Sequence, residues 1–207
     1  MTELPTPAPS FRATVRTMLR DRLLDAAAAV FADEGWRKLT MAKVADRAGV
    51  SRQTVYNELG GKQQLAEQLV MRQLEHFLEV VRARFAAEDE LVPAVRAAVE
   101  GALDAAAQDD LLRTVLESAH SGDSDLLPFI FQSRDLVDRA TEFLQELVIG
   151  RFPDIPLAEP QVRVVLESVV RLVLSHITTP SAAPSSTAES VAFLVDAVLM
   201  GVAARLP

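Results

Sequence analysis

The sequence predicts an all-α protein, and three observations carry the prediction. Apolar residues recur at the 3.6-residue spacing of helices through most of the chain, and no strand signal competes. Ala, Leu and Val dominate a composition that is 49% hydrophobic but only 5% aromatic, which favours packed helices over an aromatic-rich sandwich. Finally, no repeat of 20–50 residues marks a solenoid. The 207 residues suffice for one or two domains with a sizeable core. About nine helices are expected. Residues 1–10 form an arm, 11–61 a three-helix unit, and 62–207 a helical body entered through a long helix.

In chain order, residues 1–10 are rich in Pro and Thr and read as disordered. Phe11, Arg12 and Arg16 follow, either as part of an arm able to enter a minor groove or as a solvated lead into a helix. A first helix spans about Thr14 to Glu34, with Leu19, Leu23, Ala26, Ala27, Val30 and Phe31 as its stripe. Trp36, the single tryptophan, reads as a plug of the three-helix core.

From Thr40 to Lys62 the chain reads TMAKVADRAGVSRQTVYNELGGK. Met41, Val44, Ala45 and Ala48 fall at i, i+3, i+4 and i+7, one face of a short helix that Thr40 caps. Gly49 suits the left-handed residue that ends it. Ser51 caps a second helix, in which only Val55 and Leu59 face inward. Arg52, Gln53, Thr54, Tyr56 and Asn57 stay outside. Two short helices about a glycine turn, the second with a polar outer face, form a helix–turn–helix shaped for the DNA major groove.

Charge agrees with this reading. The chain carries a net charge of −8, yet residues 10–62 hold ten Lys/Arg against six Asp/Glu, and the acidic excess lies beyond them. A basic head on an acidic body turns one end toward phosphate.

On these residues the segment 12–62 resembles the DNA-binding domain of the TetR family of bacterial transcriptional regulators. The resemblance is carried by Phe31-Ala32-Asp33-Glu34-Gly35, Thr40, Val44-Ala45-Asp46-Arg47-Ala48-Gly49-Val50-Ser51, Thr54-Val55-Tyr56 and Lys62. It covers about a quarter of the chain; the remainder agrees in length and helical character. Two positions depart from the family pattern. Glu58 stands where a neutral or basic residue is common, so it is expected to point away from DNA, and Gly60-Gly61 replaces a more polar approach to Lys62. The implied DNA-binding residues are Thr40, Lys43, Ser51, Arg52, Gln53, Thr54, Tyr56, Asn57 and Lys62. Lys62, in a first helical turn, is suited to hold a phosphate with the backbone amides.

Beyond Lys62 a helix to about Ala87 presents Leu65, Leu69, Val70, Leu74, Phe77, Leu78, Val81 and Phe85. It is the candidate link between the DNA-binding unit and the body. Helices from Pro93 to Gln108, Asp110 to Ala119, Pro128 to Arg151, Glu159 to Ile177 and Ala188 to Arg205 follow. The segments around Ser121–Asp125 and Thr178–Thr187 read as loops.

The last two helices are apolar around most of their circumference and need burial on more than one side. The resemblance implies that they pair in a homodimer, with Val162, Val165, Leu166, Val169, Val173, Val191, Leu194 and Val198 at the interface. A two-fold dimer supplies the paired recognition helices that a palindromic operator requires. The middle helices are implied to enclose an inducer site, with Leu74, Phe77, Leu78, Val81, Leu112, Val115, Leu116, Phe129, Phe131, Leu136 and Phe143 as candidates. Few charges fall among them, so a lipophilic effector, aliphatic or acyl-chain, is favoured over a sugar or nucleotide.

No catalytic or cofactor motif is present: GxxxxGK[ST], GxGxxG, HExxH and GxSxG are all missing, and so is cysteine. His120 with Asp123 and Asp125 reads as turn chemistry rather than a metal site, and His76 and His176 as structural or pocket residues. The N-terminus lacks the pattern of a signal peptide, and no run of about 18 uncharged apolar residues occurs, so a cytoplasmic protein with no membrane partner is expected. The expected function is a ligand-released, operator-binding repressor, not an enzyme. The alternative is a helical small-molecule-binding or interaction protein of the same fold without operator binding.

Overall fold

A computed structural model describes residues 10–120 and 134–204, and among them are nine helices and no strand. They are α1 (Phe11–Glu34), α2 (Met41–Ala48), α3 (Arg52–Leu59), α4 (Lys62–Ala86), α5 (Leu91–Gln108), α6 (Asp110–His120), α7 (Arg134–Arg151), α8 (Glu159–Thr178) and α9 (Pro184–Ala203).

Two compact units divide between Leu69 and Val70, two turns into α4 rather than at its start. Leu65, Ala66 and Leu69 explain the displacement: all three are buried, which makes the first turns of α4 part of the N-terminal unit.

In that unit α1 begins at Phe11, because Ser10 Oγ accepts from the Ala13 N–H at 3.3 Å and caps it. Arg12 and Arg16 are therefore helical and do not belong to an extended arm. The inward stripe of α1 is Leu23, Leu24, Ala26, Ala27, Val30 and Phe31, with Leu19 only half-buried. α2 packs on α1 and α3, and α1 on α3. Trp36 is buried edge-on to Phe31, ring centroids 6.1 Å apart, as a plug of this core.

In the second unit α9 packs along α5, α7 along α8, and α5 touches α8. The buried residues of α5 include the small side chains of Ala94, Ala98, Ala102 and Ala106, and α9 packs along this helix with Thr187, Ala188, Val191, Ala192 and Val195 buried. Pro184 opens α9 four residues before the expected start, where its missing N–H costs nothing.

By length and composition α9 would cross a membrane. Its apolar residues are instead divided between the α5 contact and an outward face, and Glu189 and Asp196 interrupt it.

The terminal pair is used differently from the expectation. Val162, Leu166 and Val191 lie in the chain's own core, and Val165, Val169 and Val173 are half-buried against it. Of the expected interface residues, Leu194 (51% exposed) and Val198 (41%) face outward. The sequence pattern marks two apolar faces on each helix without saying which one the chain keeps for itself.

Candidate DNA-binding face and effector cavity

The helix–turn–helix is fixed by caps at each end of its short helices. Thr40 Oγ1 accepts from the Lys43 N–H at 3.3 Å and Ser51 Oγ from the Thr54 N–H at 3.1 Å. Each such cap contributes about 1 kcal/mol. Gly49 sits at φ 70°, ψ 36°, and the Val50 N–H closes the turn on the Ala45 carbonyl at 3.0 Å. A side chain at that φ would be strained. Met41, Val44, Ala45, Ala48, Val55 and Leu59 are all buried, so the core holds both helices rigidly.

On the outer face of α3, Arg52, Gln53, Tyr56 and Asn57 are exposed, and Thr54 is half-buried. Gln53 Nε2 donates to Asn57 Oδ1 at 2.8 Å, so two amides one turn apart share an orientation. Ser51 and Thr54 hydroxyls lie 2.8 Å apart. This face offers donors and acceptors in the form that reads base edges.

Four of the expected contact residues are already engaged. Thr40 and Ser51 serve as helix caps. Lys43 Nζ is ion-paired with Glu34, as Arg47 is with Asp33 at 2.5 Å. Lys62 Nζ donates to the Trp36 carbonyl at 2.6 Å and lies 4.9 Å from the centroid of the Trp36 ring. Lys62 therefore ties α4 to the turn after α1, a structural task that the sequence reading missed.

Glu58 is paired with Arg16 of α1 at 2.9 Å and mostly enclosed. The departure at Gly60-Gly61 also has a physical cause. Gly60 adopts φ 75°, ψ −146°, a region reserved for glycine, and the Gly61 N–H donates to Gln64 Oε1 at 2.8 Å.

The second unit holds an apolar cavity of about 120 Å³. α4 contributes Leu74, Phe77, Leu78, Val81 and Phe85, and α7 contributes Leu136, Ala140, Leu144 and Val148. α5 adds Val95, Ala98, Val99 and Ala102. From α8 come Leu166, Val169, Val170, Val173, Leu174 and Ile177. Among the described residues no polar side chain lines it.

Of the residues proposed from sequence for an effector site, Leu74, Phe77, Leu78, Val81 and Leu136 line this cavity. Phe143 does not; its ring lies under Arg82, 4.7 Å from the guanidinium carbon. Leu112 is buried elsewhere, and Leu116 lines a second cavity. The side chains of Val115 and His120, and all of Phe129, Phe131, Asp123 and Asp125, lie outside the described residues. The contributions of α5 and α8 were missed because alanines and valines there carry the same signal as plain core. Leu166, Val169 and Val173 were expected at a dimer interface and face this cavity instead. Among the described residues no cluster of His, Asp and Glu could hold a metal.

Two family models match the chain. A family model described as bacterial regulatory proteins, tetR family, matches residues 23–69. One described as bacterial tetracyclin repressor, C-terminal domain, matches residues 90–197. The chain belongs to the TetR family and is a helix–turn–helix transcriptional regulator, not an enzyme.

It is similar to the HTH-type transcriptional regulator AlkX of Mycobacterium tuberculosis (strain ATCC 25618 / H37Rv), with 29% identity over 182 residues, 87% of this chain and 84% of that protein. It is also similar to the HTH-type transcriptional activator FasR of Mycolicibacterium smegmatis, 34% identical over 85 residues, 41% of this chain and 39% of that one. Among solved structures, the TetR family repressor AlkX from Dietzia sp. strain DQ12-45-1b, implicated in biodegradation of n-alkanes, superposes with a TM-score of 0.72 at 26% identity. That match covers 88% of this chain and 95% of the other.

Proposed function

We propose that this protein is a cytoplasmic repressor that binds a palindromic operator as a homodimer and is released by an aliphatic small molecule held between α4, α5, α7 and α8. The observation that carries the reading is the cavity itself. The described residues of its wall are all apolar, and one side of it is α4, the helix whose first turns belong to the DNA-binding unit. An apolar ligand that favours one position of α4 shifts the DNA-binding equilibrium by its differential affinity for the two states. The AlkX repressor of Dietzia, implicated in biodegradation of n-alkanes, is in line with an aliphatic effector.

Arg52, Gln53, Thr54, Tyr56 and Asn57 are the proposed reading face, with Lys62 adding a phosphate contact while it bridges to Trp36. The proposed dimer interface is the outward apolar face of α8 and α9. Val164, Leu172, Phe193 (70% exposed), Leu194, Val198 and Met200 lie on it. Apolar side chains of this size, exposed on adjacent helices, mark an association surface.

Native mass spectrometry of gently purified protein, paired with a gel shift on the DNA upstream of its own gene, tests the reading. Expected are a dimer mass, a retained aliphatic ligand, and a shift that the ligand reverses. A monomer without DNA affinity would overturn it.

A further inference from the structure

A second cavity of about 310 Å³ adjoins the first, with Ile177 in the wall of both. Along α5 the apolar cavity is lined by Val95, Ala98, Val99 and Ala102, and the second by Leu103, Ala106 and Ala107. Along α8 the first is lined as far as Ile177, and the second by His176 and Ile177, so Ile177 belongs to both walls. From Val95 to Ala107 the lined face of α5 is roughly 18 Å long at 1.5 Å per residue.

The chemistry changes along this path. Among the described residues the first cavity has no polar side chain, whereas the second is bordered by Arg113, His176 and Thr187 beside its apolar wall. Ser181 Oγ lies 3.2 Å from His176 Nδ1, which orients the ring. Arg113 uses its Nη2 on Asp110, an exposed carboxylate one turn earlier, so the guanidinium fork keeps donors for another acceptor. Asp110 would compete with an incoming anion, but a solvated pair of this kind contributes little.

We infer that the effector is a single-chain amphiphile with an anionic head, its tail along the α5–α8 cavity and its head between Arg113 and His176. This rests on the proposed effector role of the first cavity and adds the head group. A hydrocarbon alone fills the apolar part and leaves the cationic end unused; a carboxylate head uses both.

Three probes of one chain length separate the alternatives: dodecanoate, dodecan-1-ol and dodecyltrimethylammonium, titrated into the full-length protein below their micelle concentrations. Dodecanoate is expected to bind at least about tenfold tighter than the alcohol, the worth of one charge-assisted hydrogen bond, and the cation weakest. Arg113→Gln with His176→Gln should bring the carboxylate-to-alcohol ratio close to one. Alcohol binding should be unchanged, which also shows that the variant is folded. Equal affinities in the parent protein, or a carboxylate preference that survives both substitutions, would overturn the head-group site and leave the apolar cavity standing. Failure of all three probes to bind would overturn the cavity reading as well.

Discussion

Arg16 Nε donates to Glu58 Oε2 at 2.9 Å, joining the N-terminal half of α1 to the last turn of the recognition helix. The carboxylate is mostly enclosed, its side chain 17% exposed, while the guanidinium is 69% exposed. The negative charge next to the reading face is thus covered by a positive one. Arg16→Ala should weaken binding to every DNA sequence several-fold and lower the salt slope by about one. Glu58→Gln should leave stability within about 1 kcal/mol and DNA affinity equal or higher. Fluorescence anisotropy at two salt concentrations checks both, and an unchanged slope in Arg16→Ala would remove Arg16 from the phosphate-facing surface.

Gln53 and Asn57 present hydrogen-bonded amides on successive turns of α3. Gln53→Ala and Asn57→Ala are each expected to change which bases are preferred, at a cost on the order of 1–3 kcal/mol where a base edge is read. Because the two amides orient each other, their effects should be non-additive in a double-mutant cycle on one operator. A uniform loss on cognate and unrelated DNA from both variants would show that this face positions the protein without reading bases.

Lys62 combines a hydrogen bond to the Trp36 carbonyl with a place over the indole ring. Lys62→Ala should therefore lower thermal stability by about 1–3 kcal/mol even without DNA, in addition to reducing the salt slope of binding. Thermal denaturation of the ligand-free variant separates the two roles. No change in Tm would mean that the bridge contributes nothing and only the phosphate contact remains.

The sequence carries far more of the N-terminal unit than of the body, for a physical reason. In residues 40–62 almost every position has one permitted environment. Thr40 and Ser51 are caps, Gly49 needs a left-handed φ, and Met41, Val44, Ala45, Ala48, Val55 and Leu59 fill the core. Period and residue type then determine the face each side chain takes. In α8 and α9 apolar residues occupy most of the circumference, and hydrophobicity does not distinguish a residue facing its own core from one facing a partner. Val191 and Leu194, three positions apart, look alike in sequence, yet one is 2% exposed and the other 51%. Likewise Phe77 lines the cavity and Phe143 stacks beneath Arg82, a distinction set by how helices meet and not by either residue. Lys62 was legible as a helix-start cation, but its engagement with Trp36 depends on a turn 26 residues earlier.

That difference between Val191 and Leu194 makes the proposed interface testable. Leu194→Glu places a carboxylate on the outward face of α9 and should give a folded monomer with lost operator binding. Val191→Glu puts an unpaired charge into the α5–α9 core and should unfold the body, since such burial is costly. Light scattering and circular dichroism distinguish the outcomes. A folded dimer from Leu194→Glu would place the association surface elsewhere.

The switch itself is a statement about linkage. If an aliphatic ligand releases the operator, operator DNA must weaken ligand binding by the same factor, because the coupling free energy belongs to both sites. A ligand bound equally well by both states shifts nothing, however tight it is. In the DNA-bound dimer the two recognition helices are expected about 34–36 Å apart, one turn of B-DNA, and in the ligand-bound form away from that spacing. Phe77, on the α4 wall of the cavity, is the side chain best placed to test the coupling. Phe77→Ala enlarges the cavity at a cost of up to about 3–5 kcal/mol, and should change ligand affinity and release while ligand-free DNA binding stays near parental. The deciding measurement is calorimetric titration of dodecanoate into the protein with and without saturating operator. A weaker affinity in the presence of DNA, matched by the loss of DNA affinity in the presence of ligand, is the expected result. Identical affinities in the two titrations would mean that the cavity is uncoupled from the DNA-binding unit, and release would have to work through another part of the chain.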